Sequence, residues 1–249
     1  MAIFSWHADI IRRSEGQSVI ATAARYSGTQ LYDERQAKTI NHSDKTGRIY
    51  SDILTPERAP VWMKDREKLW NAIEAGEKRK DAQLARDIQI ALPKELNTEQ
   101  QIELFKAYIN TQFVSVGMAA DITLVITQTH NPYGYALLTL RPVTEKGFGL
   151  KVRLWNDRKQ LHQWREAWAE IANCFLALYG HETRIDHRTL AEQGIDRLPI
   201  RTIGKAAYHA ATRGEKLDRY LEHEKTAQAN LNNLINTNNT TTTLRKESK

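Results

Sequence analysis

His7, Asp87 and His130 stand in or beside stretches where apolar and polar residues alternate, and that alternation turns all three toward one side of a sheet. Two imidazoles and a carboxylate are a donor set that a divalent ion accepts. The same side collects Ser5 and Asp9 from the first strand, Gln89 beside Asp87, and Asp121, Thr123, Val125, Tyr133 and Tyr135 from a later hairpin. A polar sheet face is where a site is built, and the opposite face packs on helices. Tyr133 and Tyr135 carry rings able to stack unpaired bases; two tyrosines on a strand equally make an ordinary sheet surface. Arg184, Arg188 and Arg197 present guanidinium forks that meet phosphate bidentately, against the plainer reading of each as a solvated surface arginine.

The elements that must position these groups follow from periodicity. Phe4, Trp6, Ala8 and Ile10 share one face of an opening strand. A helix then starts at Gln17, or with Ser18 as its cap, and its small residues Ala21, Ala23, Ala24, Ser27 and Gly28 allow close approach to a neighbouring backbone. Residues 41–55 read as a turn leading into a strand from Ile49 to Leu54. The stretch from Val61 to about Lys80, with Trp62, Leu69, Trp70 and Ile73 among dense charges, predicts an amphipathic helix. Residues 85–92 alternate as a strand that closes at Pro93, and Asn97 with Gln100 opens a helix running through Phe113. Two strands follow, 121–127 and 133–141, and then a long helix whose stripe is Leu161, Trp164, Trp168, Ile171, Phe175 and Leu178. Short loops join adjacent strands as often as helices do. The fold class expected is therefore α+β, with a mainly antiparallel central sheet flanked by helices.

The chain has 249 residues, 36 lysines and arginines against 30 acids, hence a formal charge of +6, which favours a polyanionic partner. Its longest apolar run is far shorter than the ~20 residues of a bilayer span, so no membrane partner is expected. The N-terminus has its basic pair after a mixed stretch, the reverse of a signal peptide, and one cysteine, Cys174, has no partner for an internal disulfide; both point to a cytoplasmic protein. Residues 226–249, dominated by Asn and Thr, are expected as a disordered or loosely helical polar tail behind a domain over 1–225.

The sequence resembles the MobA/MobL relaxases, the MobQ-type HUH nucleases that begin plasmid mobilisation by nicking one strand at the transfer origin. The resemblance covers roughly residues 1–215. It rests on MAI followed by RSEGQS, on LYDER (31–35), SDILTPERAPVW (51–62), EKRKDAQLARDIQIALP (77–93), NP…ALLTLRPV (131–143), GFGLKVRLWN (147–156), WREAWAEIAN (164–173) and RIDHRTLAEQGIDRLP (184–199). It implies a tyrosine on the first helix that attacks a phosphate, a divalent metal (Mg or Mn) held by three histidines, and single-stranded or transfer-origin DNA as partner together with relaxosome accessory proteins.

The chain departs from that pattern at each ligand. The three positions that the resemblance assigns to histidines hold Val125, Tyr133 and Tyr135, so no cofactor is expected here. Where the family has Ala-Tyr-Arg this chain has Ala24-Arg25-Tyr26, and one residue along a helix rotates a side chain by about 100°. Tyr26 is thus a shifted nucleophile candidate, or else an aromatic packed against Val19 and Ala23; Asp87 is the other catalytic candidate. His7, Asp87 and His130 are the set that could relocate an ion. The side chains expected on DNA are Arg25, Arg141, Arg184, Arg188 and Arg197. Two functions remain: a relaxase-family protein that binds transfer-origin DNA with impaired nicking, and a catalytically inactive relaxase-fold accessory protein.

Overall fold

The computed structural model describes residues 2–43, 47–126, 131–199, 210–215 and 217–247, with side chains to Asn233. By packing the chain divides into two compact units, residues 1–187 and 188–249. The first is built on a five-stranded sheet of β1 (Trp6–Arg12), β4 (Arg48–Leu54), β5 (Gln83–Ala91), β6 (Ala120–Ile126) and β7 (Pro132–Thr139), in the spatial order β1-β5-β7-β6-β4. Every pairing within it is antiparallel, as expected from the short connections. A two-stranded ribbon, β2 (Gln30–Asp33) with β3 (Lys38–Asn41), stands apart from it.

Helices cover both faces. On one, α3 (Thr98–Ile109) and α4 (Arg158–Leu178) bury Leu104, Phe105, Tyr108, Trp164 and Trp168 against Ile88, Ile90, Ile122, Leu124, Ala136 and Leu138. Gly134 is obligatory there: a Cβ would stand 2.7–2.9 Å from ring atoms of Phe105, so the helix closes onto bare backbone. The Trp6 indole donates to the Tyr108 hydroxyl (2.9 Å), which donates to the Trp164 carbonyl (2.9 Å), so these three residues are paired in series within the core.

The other face was expected to lie open, and it does not. α1 (Val19–Ser27) and α2 (Arg66–Gly76) lie across it, burying Val19, Ile20, Ala23, Leu69, Trp70 and Ile73 with Ile11, Ile53, Ala85 and Leu137. The reason is that the polar residues of this face alternate along the sheet with those four apolar ones, which require cover. Asp121 is enclosed as well: Arg66 forks onto it (both N–O distances 2.8 Å) and the Trp70 indole donates to it at 2.9 Å, fastening α2 to β6.

Several boundaries differ from the periodicity reading. The first strand begins at Trp6, so that Phe4, expected within it, precedes it. The single helix expected over 61–80 is a 3-10 turn, Val61–Lys64, followed by α2, because Asp65 breaks the run and caps α2 by accepting from the Lys68 amide at 3.1 Å. The capping box at Asn97 and Gln100 forms, and α3 passes into a π-turn over Asn110–Val114 that keeps Phe113 buried. In the second unit the Asn230 amide brackets the Leu198 backbone, accepting at 2.7 Å and donating at 2.9 Å. A helix, Asp218–Glu247, runs through the segment expected as a tail. Among the described residues no helix is long and apolar enough to cross a membrane.

Candidate functional site

The polar sheet face is a grid whose rows are set by strand register. His7, Gln89, Tyr135, Thr123 and Ser51 are successive cross-strand partners; in the next row stand Asp9, Asp87, Leu137, Asp121 and Ile53; beyond the first, Tyr133 pairs with Val125. Of the residues read from alternation as sharing a face, His7, Asp9, Asp87, Gln89, Asp121, Thr123, Val125, Tyr133 and Tyr135 do share it, whereas Ser5 precedes β1.

α1 is held over this grid at both ends. Ser18 accepts from the Ala21 amide (3.2 Å) and donates to Asp33 (2.8 Å), while Gly28 closes the helix at φ 64° with the Arg48 guanidinium packed where a Cβ would be. This registration decides what the last turn presents. Tyr26 turns inward, 7% exposed, in the cluster with Val19 and Ala23. Its ring stacks on Tyr135 (centroids 4.5 Å apart, planes at 29°), and Tyr133 lies 6.4 Å further along. Its hydroxyl donates to Asp87 Oδ2 at 2.6 Å and accepts from the Gln89 amide at 3.2 Å. Val125, Tyr133 and Tyr135 therefore occupy the sheet face that α1 covers, and Tyr135 is the one in contact with Tyr26.

Arg25, one residue earlier, turns outward. It is exposed, its Cζ lies 4.6 Å from the centre of the Tyr26 ring, and it lines a pocket of about 320 Å³ with Asp9, Ile10, Gln17, Thr22, His42 and Asp87. Tyr26 is not among the lining residues.

Burial governs the titration of this group. Tyr26 is pushed far above the ordinary phenol range, first by desolvation and then by the charge and hydrogen bond of Asp87. Asp87, 9% exposed, is raised by burial against the opposing pull of Tyr26, Gln89, Arg25 and His7, and its Oδ1 has no partner. Tyr135 is raised by burial and by Tyr133. A tyrosine so placed is held as the neutral phenol, with Asp87 the one group positioned to take its proton.

The three positions assigned to a metal do not suit one. Val125 has no lone pair to give, and Tyr133 and Tyr135 are phenols, the second held protonated by its surroundings. Among the described residues no three His, Cys, Asp or Glu side chains come together as an ion site. His7 and Asp87 share the face, with His7 exposed on the row next to Asp87; His130 lies outside the described residues.

Of the other arginines, Arg141 is committed within the protein, to Glu77 (2.9 Å) and the Gly149 carbonyl (3.1 Å). Arg184 is exposed and donates to the Thr183 carbonyl at 2.8 Å; Arg188 and Arg197 are exposed in the second unit. Two participants escaped the sequence reading. Gln89 was placed on the face without a role, although its spacing of two from Asp87 was the available signal. His42 reaches the pocket from beyond β3, and nothing in its neighbourhood in sequence points there.

Comparison with known proteins places these observations among relatives. The family model described as the MobA/MobL family matches residues 17–213. The conjugal transfer protein TraA of Agrobacterium fabrum is 34% identical over 247 residues, 87% of this chain and 22% of that protein. The mobilization protein MobL of Acidithiobacillus ferridurans is 30% identical over 266 residues, covering 93% of this chain and 70% of the relative. A solved structure described as "Molecular Basis of Vancomycin Resistance Transfer in Staphylococcus aureus" superposes with a TM-score of 0.70 at 29% identity, over 76% of this chain and 100% of that one. The chain spans about a quarter of the length of the TraA relatives it matches.

Proposed function

Because the chain belongs to the MobA/MobL family, we propose that it binds transfer-origin DNA as a single strand during plasmid mobilisation, and that strand cutting through Tyr26 is impaired. The observation that carries this reading is the register of α1. The helix sends a guanidinium into the open pocket and the phenol beneath it, where the hydroxyl is engaged by Asp87 and Gln89. In-line attack tolerates errors of about an ångström, and a nucleophile folded into the sheet face misses the pocket by a turn of the helix surface.

Binding is a separate matter. Exposed arginines, Arg25, Arg184, Arg188 and Arg197, supply phosphate contacts, whereas Arg141 acts by holding its own loop. Mg or Mn, which the resemblance implies, finds no donor set in Val125, Tyr133 and Tyr135, so no catalytic step is assigned to it. Relaxosome accessory proteins are partners on the same reading, the domain runs through residue 225, and the protein works in the cytoplasm.

The test pairs two assays. A gel shift with a single-stranded transfer-origin oligonucleotide should show binding that weakens steeply with salt. Incubating supercoiled origin plasmid with protein and manganese should leave it supercoiled, with no covalent protein–DNA band. A band that disappears in Tyr26→Phe would restore Tyr26 as an active nucleophile. Complete loss of both binding and cutting would remove the reading altogether.

A further inference from the structure

The pocket beside α1 contains groups of both signs. Asp9 and Asp87 are direct cross-strand partners, a like-charge juxtaposition that costs stability unless a donor or cation comes between them. Asp9 is exposed, its Oδ1 accepting from the Ile10 amide at 2.7 Å. Asp87 is nine-tenths buried, and while its Oδ2 is satisfied by Tyr26 and Gln89, its Oδ1 is enclosed and has no partner among the described residues. A buried acceptor left unpaired costs about 1–3 kcal/mol. Across the same pocket stands the Arg25 guanidinium, and Ile10 and Ala21 provide apolar wall.

A bare anion fits this arrangement poorly, because two carboxylates oppose it. A bare cation fits poorly too, because Arg25 opposes it. A ligand with an N–H edge at one end and a phosphate at the other satisfies all three. We infer that the pocket receives one unpaired nucleotide of the bound strand, its base donating to the Asp9 carboxylate beside Asp87 and its phosphate meeting Arg25, without a metal ion. Among the four bases guanine fits best: N1–H and the 2-amino group form two adjacent donors, the pattern a carboxylate accepts. Adenine and cytosine set a donor beside an acceptor, and thymine flanks its one N–H with two carbonyl oxygens. At about 320 Å³ the cavity is of the size that encloses small ligands. Reading an unstacked base by its Watson–Crick edge is also the usual mode for single strands.

This inference rests on the single-strand reading above and adds a site and a base preference to it. The test is calorimetric titration of the full chain with dGMP, dAMP, dCMP and TMP in EDTA. The expected result is dGMP binding at least tenfold tighter than the others, with manganese in place of EDTA leaving the ratio unchanged. dIMP, which lacks the 2-amino group, should lose most of the advantage. Asp9→Asn lies on an exposed position and should abolish the preference for dGMP with an unaltered circular dichroism spectrum. Arg25→Ala should weaken dGMP several-fold and leave the phosphate-free nucleoside unaffected. Equal affinities for the four nucleotides, a requirement for manganese, or indifference to both substitutions overturns the inference alone if the origin oligonucleotide still shifts in a gel. Loss of that shift in the wild-type chain overturns the single-strand reading as well.

Discussion

The two faces of the sheet solve the same problem with different chemistry. Under α3 and α4 the packing is aromatic and aliphatic, with a hydrogen-bonded chain from Trp6 through Tyr108 to Trp164 and the Trp168 indole nitrogen without a partner among the described residues. Under α1 and α2, apolar residues share the surface with Asp87, Asp121, Gln89 and Tyr26, and among the described residues one oxygen of Asp87 and one of Glu74, on α2, have no partner. Both carboxylates are buried, yet they do different work. Asp121 is fully engaged by Arg66 and Trp70 and serves as an anchor; Asp87, with one enclosed oxygen unpaired, borders the pocket. A buried charge with all its partners holds a fold together, because removing a partner leaves the charge uncompensated.

Substitutions sharpen that contrast in descending order of effect. Phe105→Ala removes a ring with no exposed surface that seals onto Gly134, and should cost about 4 kcal/mol in urea unfolding. A smaller loss would mean that α3 can settle onto the bare strand. Arg66→Ala leaves Asp121 buried without its cation and should cost about 3 kcal/mol; Arg66→Ala with Asp121→Asn should recover part of it, and a cycle without coupling would deny the anchor.

Tyr26→Phe deletes one partner of a buried carboxylate and should cost about 1–2 kcal/mol while leaving the affinity for single-stranded DNA unchanged. A large fall in that affinity would show that the phenol reaches the strand. Asp87 also makes stability depend on pH. The folded state raises the pKa of Asp87 above its unfolded value, so its contribution to stability is complete in acid, below the unfolded value, and is lost as pH rises through the folded one. Asp87→Asn should remove that loss, flattening the decline in melting temperature on the alkaline side of the transition. Tyr26 is expected to stay protonated where ordinary tyrosines titrate, near pH 10, so Tyr26→Phe should leave the ultraviolet titration curve there unaltered. At the lower end, Arg79→Ala removes an exposed pair with Asp81 and should change stability by less than about 0.5 kcal/mol.

Much of this was legible in the residue pattern. Alternation put His7, Asp87, Gln89, Thr123, Tyr133 and Tyr135 on one face, and the register confirms each neighbour because a period of two leaves a strand no other option. The caps at Ser18 and Asn97 were equally plain, since capping is chemistry between residues three apart. The break at Asp65 was missed because an amphipathic stripe continues through it. The cover over the polar face was missed because Ile53, Ala85 and Leu137 come from three separate strands and form a surface only once paired.

The sequence by itself determined the antiparallel sheet with its helices, the absence of imidazole at three positions, and the order Arg25 before Tyr26. Tertiary structure decided what that order means. With α1 pinned at Ser18 and Gly28, a helix step of about 100° turns the guanidinium into the pocket and the phenol onto Asp87. No local pattern could settle this, because the direction of a helix face is fixed by what packs beneath it.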